Sequence, residues 1–142
     1  PRTIRFREKK TGILTPNFTY ETRTTGQKDR ILVTTRKRIM LIVFGMIELI
    51  DLAKTPVVIL GRRDATVQVD NLFDLRLYGA AERGVSRVHC QLEIKDGQLH
   101  VTDLGSSNGT YVAGKRLVPH QPYILKKGED LALGRLPIQI MS

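Results

Sequence analysis

Residues 88–103, VHCQLEIKDGQLHVTD, decide how the rest of this chain is read. Val88, Cys90, Leu92 and Ile94 alternate with His89, Gln91 and Glu93, the period of two that sends successive side chains to opposite faces of a strand. Asp96-Gly97 then interrupts the pattern with a dipeptide suited to a two-residue type I′ turn, in which both central residues take positive φ. The stretch therefore predicts a hairpin pairing 88–94 with 98–103, with Cys90 as core filler rather than a reactive thiol. That pairing brings His89 toward Asp103 at the end remote from the turn. The polar segments flanking the hairpin, Gly84-Val85-Ser86-Arg87 and Gly105-Ser106-Ser107-Asn108-Gly109, must then emerge side by side.

Outward from the hairpin the same grammar repeats. Short β-branched and leucine-rich runs at 39–44, 46–52, 57–60, 66–69, 74–77, 110–112, 115–118, 130–133 and 136–141 are separated by Gly, Asp, Asn and Pro. Together with the hairpin they predict an all-β fold, a sandwich or barrel of antiparallel sheets with about eleven strands. Residues 1–38 read differently. They contain nine threonines, show no sustained period and hold 11 Lys/Arg against 3 Asp/Glu. They are expected to form a largely disordered basic arm, with a short strand near 31–33, ahead of a folded domain at 39–142.

The net charge of +9 is therefore mostly the arm's, because 39–142 hold 12 Lys/Arg against 11 Asp/Glu. This distribution argues against nucleic-acid binding by the folded domain and for a solvated cationic arm. With 142 residues, one domain with one core is expected. The longest apolar run, 39–47, is interrupted by Gly45 and falls well short of a membrane span of roughly 20 residues. The single cysteine allows neither an internal disulfide nor a cysteine-based metal site. No secretory signal pattern is seen, so the expected compartment is the cytoplasm, with no metal and no cofactor.

The residue types in the polar segments suggest three chemistries. Ser86, His89 and Asp103 supply the residue types of a hydrolytic triad, but Val88 stands where a nucleophile elbow needs glycine. Gly109–Lys115 fits the spacing of a nucleotide phosphate loop, yet Arg116 replaces the hydroxyl that would hold magnesium, and no helix follows. No enzyme activity is expected. A phosphorylated threonine, with about two negative charges and three acceptor oxygens, calls instead for a guanidinium and hydroxyls converging on one point. Arg62, Ser86, Arg87 and Ser107 are such donors, and Asn108 offers both donor and acceptor to an extended ligand's main chain.

Gly61-Arg62, Ser86-Arg87-Val88-His89 and Leu104-Gly105-Ser106-Ser107-Asn108-Gly109-Thr110, in that order, resemble the three signature blocks of the forkhead-associated (FHA) domain. The similarity runs from about Met40 to Met141. The resemblance implies an eleven-stranded sandwich that binds phosphothreonine peptides through loops at one end, in signalling or assembly linked to a Ser/Thr kinase. It also implies that Arg62 and Ser86 hold the phosphate, with Arg87 and Ser107 adding contacts. Asn108 would bond the ligand backbone, while Gly61, His89 and Gly109 would shape and support the loops. Two departures stand out: a long stretch between Arg62 and Ser86, and Ala113-Gly114 where many members carry Asn-Gly. In the arm, Thr22, Thr24 and Thr25 are candidate phosphorylation sites through which the chain could occupy its own pocket. The competing expectation, of a different class, is an adaptor that binds nucleic acid or an anionic surface through the arm.

Overall fold

A computed structural model of the chain describes residues 37–142. The arm, its possible strand and Thr22, Thr24 and Thr25 lie outside the described residues. Eleven strands are present: β1 (Arg38–Val43), β2 (Met46–Asp51), β3 (Val57–Gly61), β4 (Leu72–Asp74), β5 (Val88–Lys95), β6 (Gln98–Asp103), β7 (Thr110–Val112), β8 (Lys115–Arg116), β9 (Tyr123–Ile124), β10 (Leu131–Leu133) and β11 (Leu136–Met141). One sheet has the order β2-β1-β11-β10-β7-β8, the other β4-β3-β5-β6-β9. Between them lie Leu41, Leu60, Cys90, Leu92, Leu99, Leu133 and Leu136, all without solvent exposure.

The hairpin read from the sequence is present. Lys95 pairs with Gln98 and Cys90 with Asp103, around Asp96 and Gly97 at φ 54° and 74°. Complete burial of the Cys90 thiol pushes its pKa far up, as expected of a core side chain. His89 departs from strict alternation, since it is as buried as Cys90. The β3–β5 register shifts between Leu60 and Gly61, and the loops close over the His89 side.

Two of the expected runs are not strands where they were placed. Residues 66–69 form a loop, because the Asp64 carboxylate accepts from both Thr66 N (2.8 Å) and Thr66 Oγ1 (2.6 Å) and bends the chain into a turn. The run 74–77 mimics alternation, but the strand is Leu72–Asp74, pairing parallel to β3. Asp74 then accepts from Arg63 N and Arg76 N and ends it. Leu75 enters the core, whereas Leu77 projects at 93% exposure from a 3-10 turn at Arg76–Tyr78. One strand went unread: β9, two residues directly after Pro122, pairs with His100 and Val101. The agreement at eleven strands therefore hides one strand lost and one gained.

The strand directions decide where function can sit. Strands β1, β3, β6 and β10 run toward one end, and β2, β5, β7 and β11 run away from it. That loop end gathers the connections around Phe44-Gly45, Arg62–Asp64, Gly79–Arg87, Leu104–Gly109 and Gly134-Arg135.

Ala113-Gly114, the second departure, forms a β7–β8 turn with φ of 50° and 81°. A left-handed alanine costs about 1 kcal/mol or more, which asparagine partly escapes through local hydrogen bonding. Ala113 is exposed, so Ala113→Asn should raise stability by about 0.5 to 1 kcal/mol and the melting temperature by a few degrees. Thermal unfolding of the two proteins checks this.

Candidate functional site

The loop end is organised around a carboxylate that the sequence offered only as part of a triad. Asp103, 1% exposed, accepts from Gly105 N (3.0 Å) and Ser106 N (3.1 Å) through Oδ2, and from Ser106 Oγ (2.6 Å) and Thr110 Oγ1 (2.6 Å) through Oδ1. Burial pushes its pKa upward, but these four bonds outweigh it and hold the carboxyl below its ordinary value. Ser106 Oγ also accepts from Gly109 N at 2.9 Å. The turn 104–109 is thus wound about one charge. Ser106, assigned no separate role from sequence, is its inner strut.

His89 joins this turn to the other loop. Its Nε2 donates to Gly109 O (2.9 Å) and its Nδ1 accepts from Ser86 N (3.0 Å), which fixes the neutral tautomer with hydrogen on Nε2. Both ring nitrogens are engaged with backbone groups, and Ser86 Oγ instead accepts from Ser107 N at 3.1 Å. A Ser-His-Asp relay is therefore not assembled, because neither the Ser86 hydroxyl nor the Asp103 carboxylate bonds the ring. Gly109–Lys115 spans β7 and a hairpin turn, with no helix N-terminus to face a phosphate.

The sequence-predicted residues are brought together as follows. Arg62, half-buried at the end of β3, donates from Nε to Val85 O at 2.7 Å, and its backbone N donates to Arg87 O at 3.1 Å. Ser86 lies beside Val85 and bridges to Ser107. Asn108 Nδ2 donates to Gly84 O at 2.9 Å, tying the two loops a second time. Arg87 is exposed and lies 3.2 Å from Asp64 Oδ2, an ion pair on the rim of the group. Asp64 is held below the ordinary carboxylate value, first by its bonds from Thr66 and then by Arg87 and Arg62.

Gly61 has a plain steric cause: a Cβ there would sit 2.0 Å from Arg87 O. The strand must touch the Ser86-Arg87 backbone for Arg62 to take its place. Gly84, missed from sequence, is similar, since a Cβ would meet Asn108 Nδ2 at 2.6 Å. Only its place at the head of the polar segment Gly84-Val85-Ser86-Arg87 could have hinted at it.

Residues 58–134 match the family model of the FHA domain. The chain belongs to the FHA family. Among solved structures, the FHA domain of CT664 from Chlamydia trachomatis is 26% identical and superposes with a TM-score of 0.53, covering 74% of this chain and 97% of that one. The MEK1 FHA domain, solved with a phosphothreonine peptide of HOP1, is 25% identical, with a TM-score of 0.51 over 72% of this chain and 94% of that one. A 51-residue stretch is 43% identical to the E3 ubiquitin-protein ligase rnf8 of Danio rerio, covering 35% of this chain and 10% of the ligase. The matches to curated relatives span at most 39% of those proteins' length. Among the described residues, no helix is long and apolar enough to cross a membrane, and no cluster of three His, Cys, Asp or Glu side chains is placed to hold a metal.

The buried ring of the FHA domain makes its stability pH-dependent. Burial, only partly offset by the Gly109 bond and the Asp103 charge, lowers the His89 pKa below its ordinary 6.5. Between the folded and unfolded values the unfolded chain binds more protons, so stability falls as pH drops through that window. Urea unfolding should show full stability above about pH 7 and a progressive loss below about 6.5. His89→Gln, whatever its baseline, should flatten that part of the profile.

Proposed function

We propose that this FHA domain is a non-enzymatic module that binds phosphothreonine peptides at the loop end, in a pathway linked to a Ser/Thr kinase. The observation that carries the proposal is the stitching of Arg62, Ser86 and Ser107. Arg62 spends Nε on Val85 O, which orients the guanidinium and leaves its two terminal nitrogens for an anion. Ser86 Oγ accepts from Ser107 N, so the Ser86 hydroxyl hydrogen is available to donate to a phosphate oxygen. Arg87 and the Ser107 hydroxyl, both exposed, extend the donor set. Asn108 uses one amide hydrogen on Gly84 and keeps its other hydrogen and its oxygen for a peptide main chain. Gly61, His89 and Gly109 hold the loops in this arrangement.

Three or four charge-assisted hydrogen bonds at about 1.5 to 3 kcal/mol each, less several kcal/mol for ordering a peptide, correspond to roughly micromolar affinity. The threonine methyl contributes about 0.8 kcal/mol by area, so preference over phosphoserine rests largely on the stiff β-branched rotamer. Fluorescence anisotropy with a phosphothreonine peptide library checks the proposal. Arg62→Ala and Ser86→Ala should each weaken binding by about tenfold or more, and dephosphorylated peptides should not bind. Equal affinity for phosphorylated and unmodified peptides would remove it.

The proposal includes self-regulation through the arm. A phosphate on Thr22, Thr24 or Thr25 would place a tethered ligand near the domain at about millimolar effective concentration, enough to displace micromolar partners. Kinase-treated chain should then bind external peptide at least about tenfold more weakly than untreated chain. Threonine-to-alanine substitution at the three sites should abolish the difference.

A further inference from the structure

We infer that the loop end holds a second anion beside the phosphothreonine, so that the ligand is a peptide with a further carboxylate or phosphate close to the first. This rests on the proposed function and names the ligand class more narrowly.

The near-zero net charge of residues 39–142 conceals an uneven placement of arginine and lysine. Of the eight arginines among the described residues, seven, at 62, 63, 76, 83, 87, 116 and 135, follow or approach the loop end, while Arg38 starts β1 at the base, 3.9 Å from Asp51. The five lysines of 39–142 lie elsewhere: Lys54 between β2 and β3, Lys95 at the β5–β6 turn, Lys115 beside the β7–β8 turn, and Lys126 and Lys127 between β9 and β10. Arginine's planar fork suits bidentate contact with phosphate and carboxylate, whereas lysine serves as a solvated point charge. Solubility alone would not sort the two.

Arg76 is neutralised by Asp74 at 2.7 Å and Arg87 by Asp64 at 3.2 Å, and Arg62 is committed to the phosphate. Arg63, Arg83, Arg116 and Arg135 have no carboxylate partner for their guanidinium groups among the described residues, and Arg63 sits apart with its backbone N on Asp74. Two of them are nonetheless held together. Arg83 Nη1 lies 3.5 Å from Arg135 O, Arg135 N donates to Arg83 O at 2.8 Å, and Arg135 Nη2 donates to Glu82 O at 2.5 Å. Glu82 meets Arg135 through its backbone oxygen; its carboxylate lies on the Gly79 side of Arg83 without forming an ion pair with either guanidinium. Arg83 also stacks on Phe44, 4.6 Å from the ring centre, and Phe44 is held in a left-handed turn at φ 49°.

The third arginine closes the same flank. A Cβ on Gly109 would stand 2.6 Å from Arg116 Nε, so this side chain lies against the backbone just beyond Asn108. Gly134 N donates to Gly109 O at 2.9 Å, which puts the β10–β11 turn and its Arg135 on that side too. Like charges fixed near one another by carbonyls and a ring face repel, and an anion between them relieves the repulsion. A single phosphothreonine held by Arg62 and Arg87 does not use this flank.

The test is a peptide walk on the full chain. A phosphothreonine peptide with uncharged flanks is compared with versions carrying one glutamate, or one phosphoserine, at each nearby position. The expected result is about tenfold tightening at one position, as for a new charge-assisted contact, with the larger gain naming the source as carboxylate or phosphate. Arg83→Gln combined with Arg135→Gln should remove that gain while changing the uncharged-flank affinity less than about threefold. Arg135→Glu should instead favour lysine at the same position, an outcome that loss of folding cannot produce. A flat walk overturns the inference and leaves phosphothreonine binding standing. Failure of every phosphothreonine peptide to bind overturns both. Displacement of the acidic peptide by an equal concentration of single-stranded oligonucleotide would assign the arginines to nucleic acid and also overturn it.

Discussion

One buried charge organises the end of the molecule where the FHA signature converges. Removing a carboxylate from water is costly unless donors replace the water, and Asp103 is supplied with four. From it a continuous series of bonds runs outward: Ser106 Oγ to Asp103, Gly109 N to Ser106, His89 Nε2 to Gly109 O, Ser86 N to His89 Nδ1, and Ser107 N back to Ser86 Oγ. The series begins and ends in the same turn. The loop is thereby shaped without a ligand, and under the proposed function this would reduce the ordering cost of binding an anion there.

The two sheets contribute differently to this end. The five-stranded sheet brings Arg62 just past β3, Ser86 just ahead of β5 and Asp103 at the end of β6 to one end, because those three strands are adjacent. The six-stranded sheet delivers its part through the turn at Gly134-Arg135 and through Arg116 on β8. Contacts across the seam, such as Arg135 N to Arg83 O and Gly134 N to Gly109 O, lock the loops of one sheet to the turns of the other. Glycine at 61 is the steric condition for this assembly, because the strand must press directly on the 86–87 backbone.

Much of this was legible in the chain. Alternation in 88–103 and the Asp96-Gly97 turn sufficed to predict the central hairpin, and from it the adjacency of the Ser86 and Ser107 loops. The strand misplacements share a cause: aspartates 64 and 74 bind nearby backbone N–H groups and override a local alternating pattern. Strand β9 was illegible because two residues carry no period; only its partners on β6 define it. Within the site, residue types and order pointed to the loop residues, but Asp103 and Ser106 were undervalued because three of their bonds come from backbone N–H groups of a turn whose winding the sequence does not display. The uneven placement of arginine and lysine could not be read from net charge, since it appears only when strand direction assigns each turn to one end.

Strand β1 begins and β11 finishes at the base of the sandwich, paired to each other through Met40 and Met141. Arg38 and Met141 thus both lie on the side opposite the loops. A domain joined at either position would meet the base of the sandwich and need not thread past the loop end.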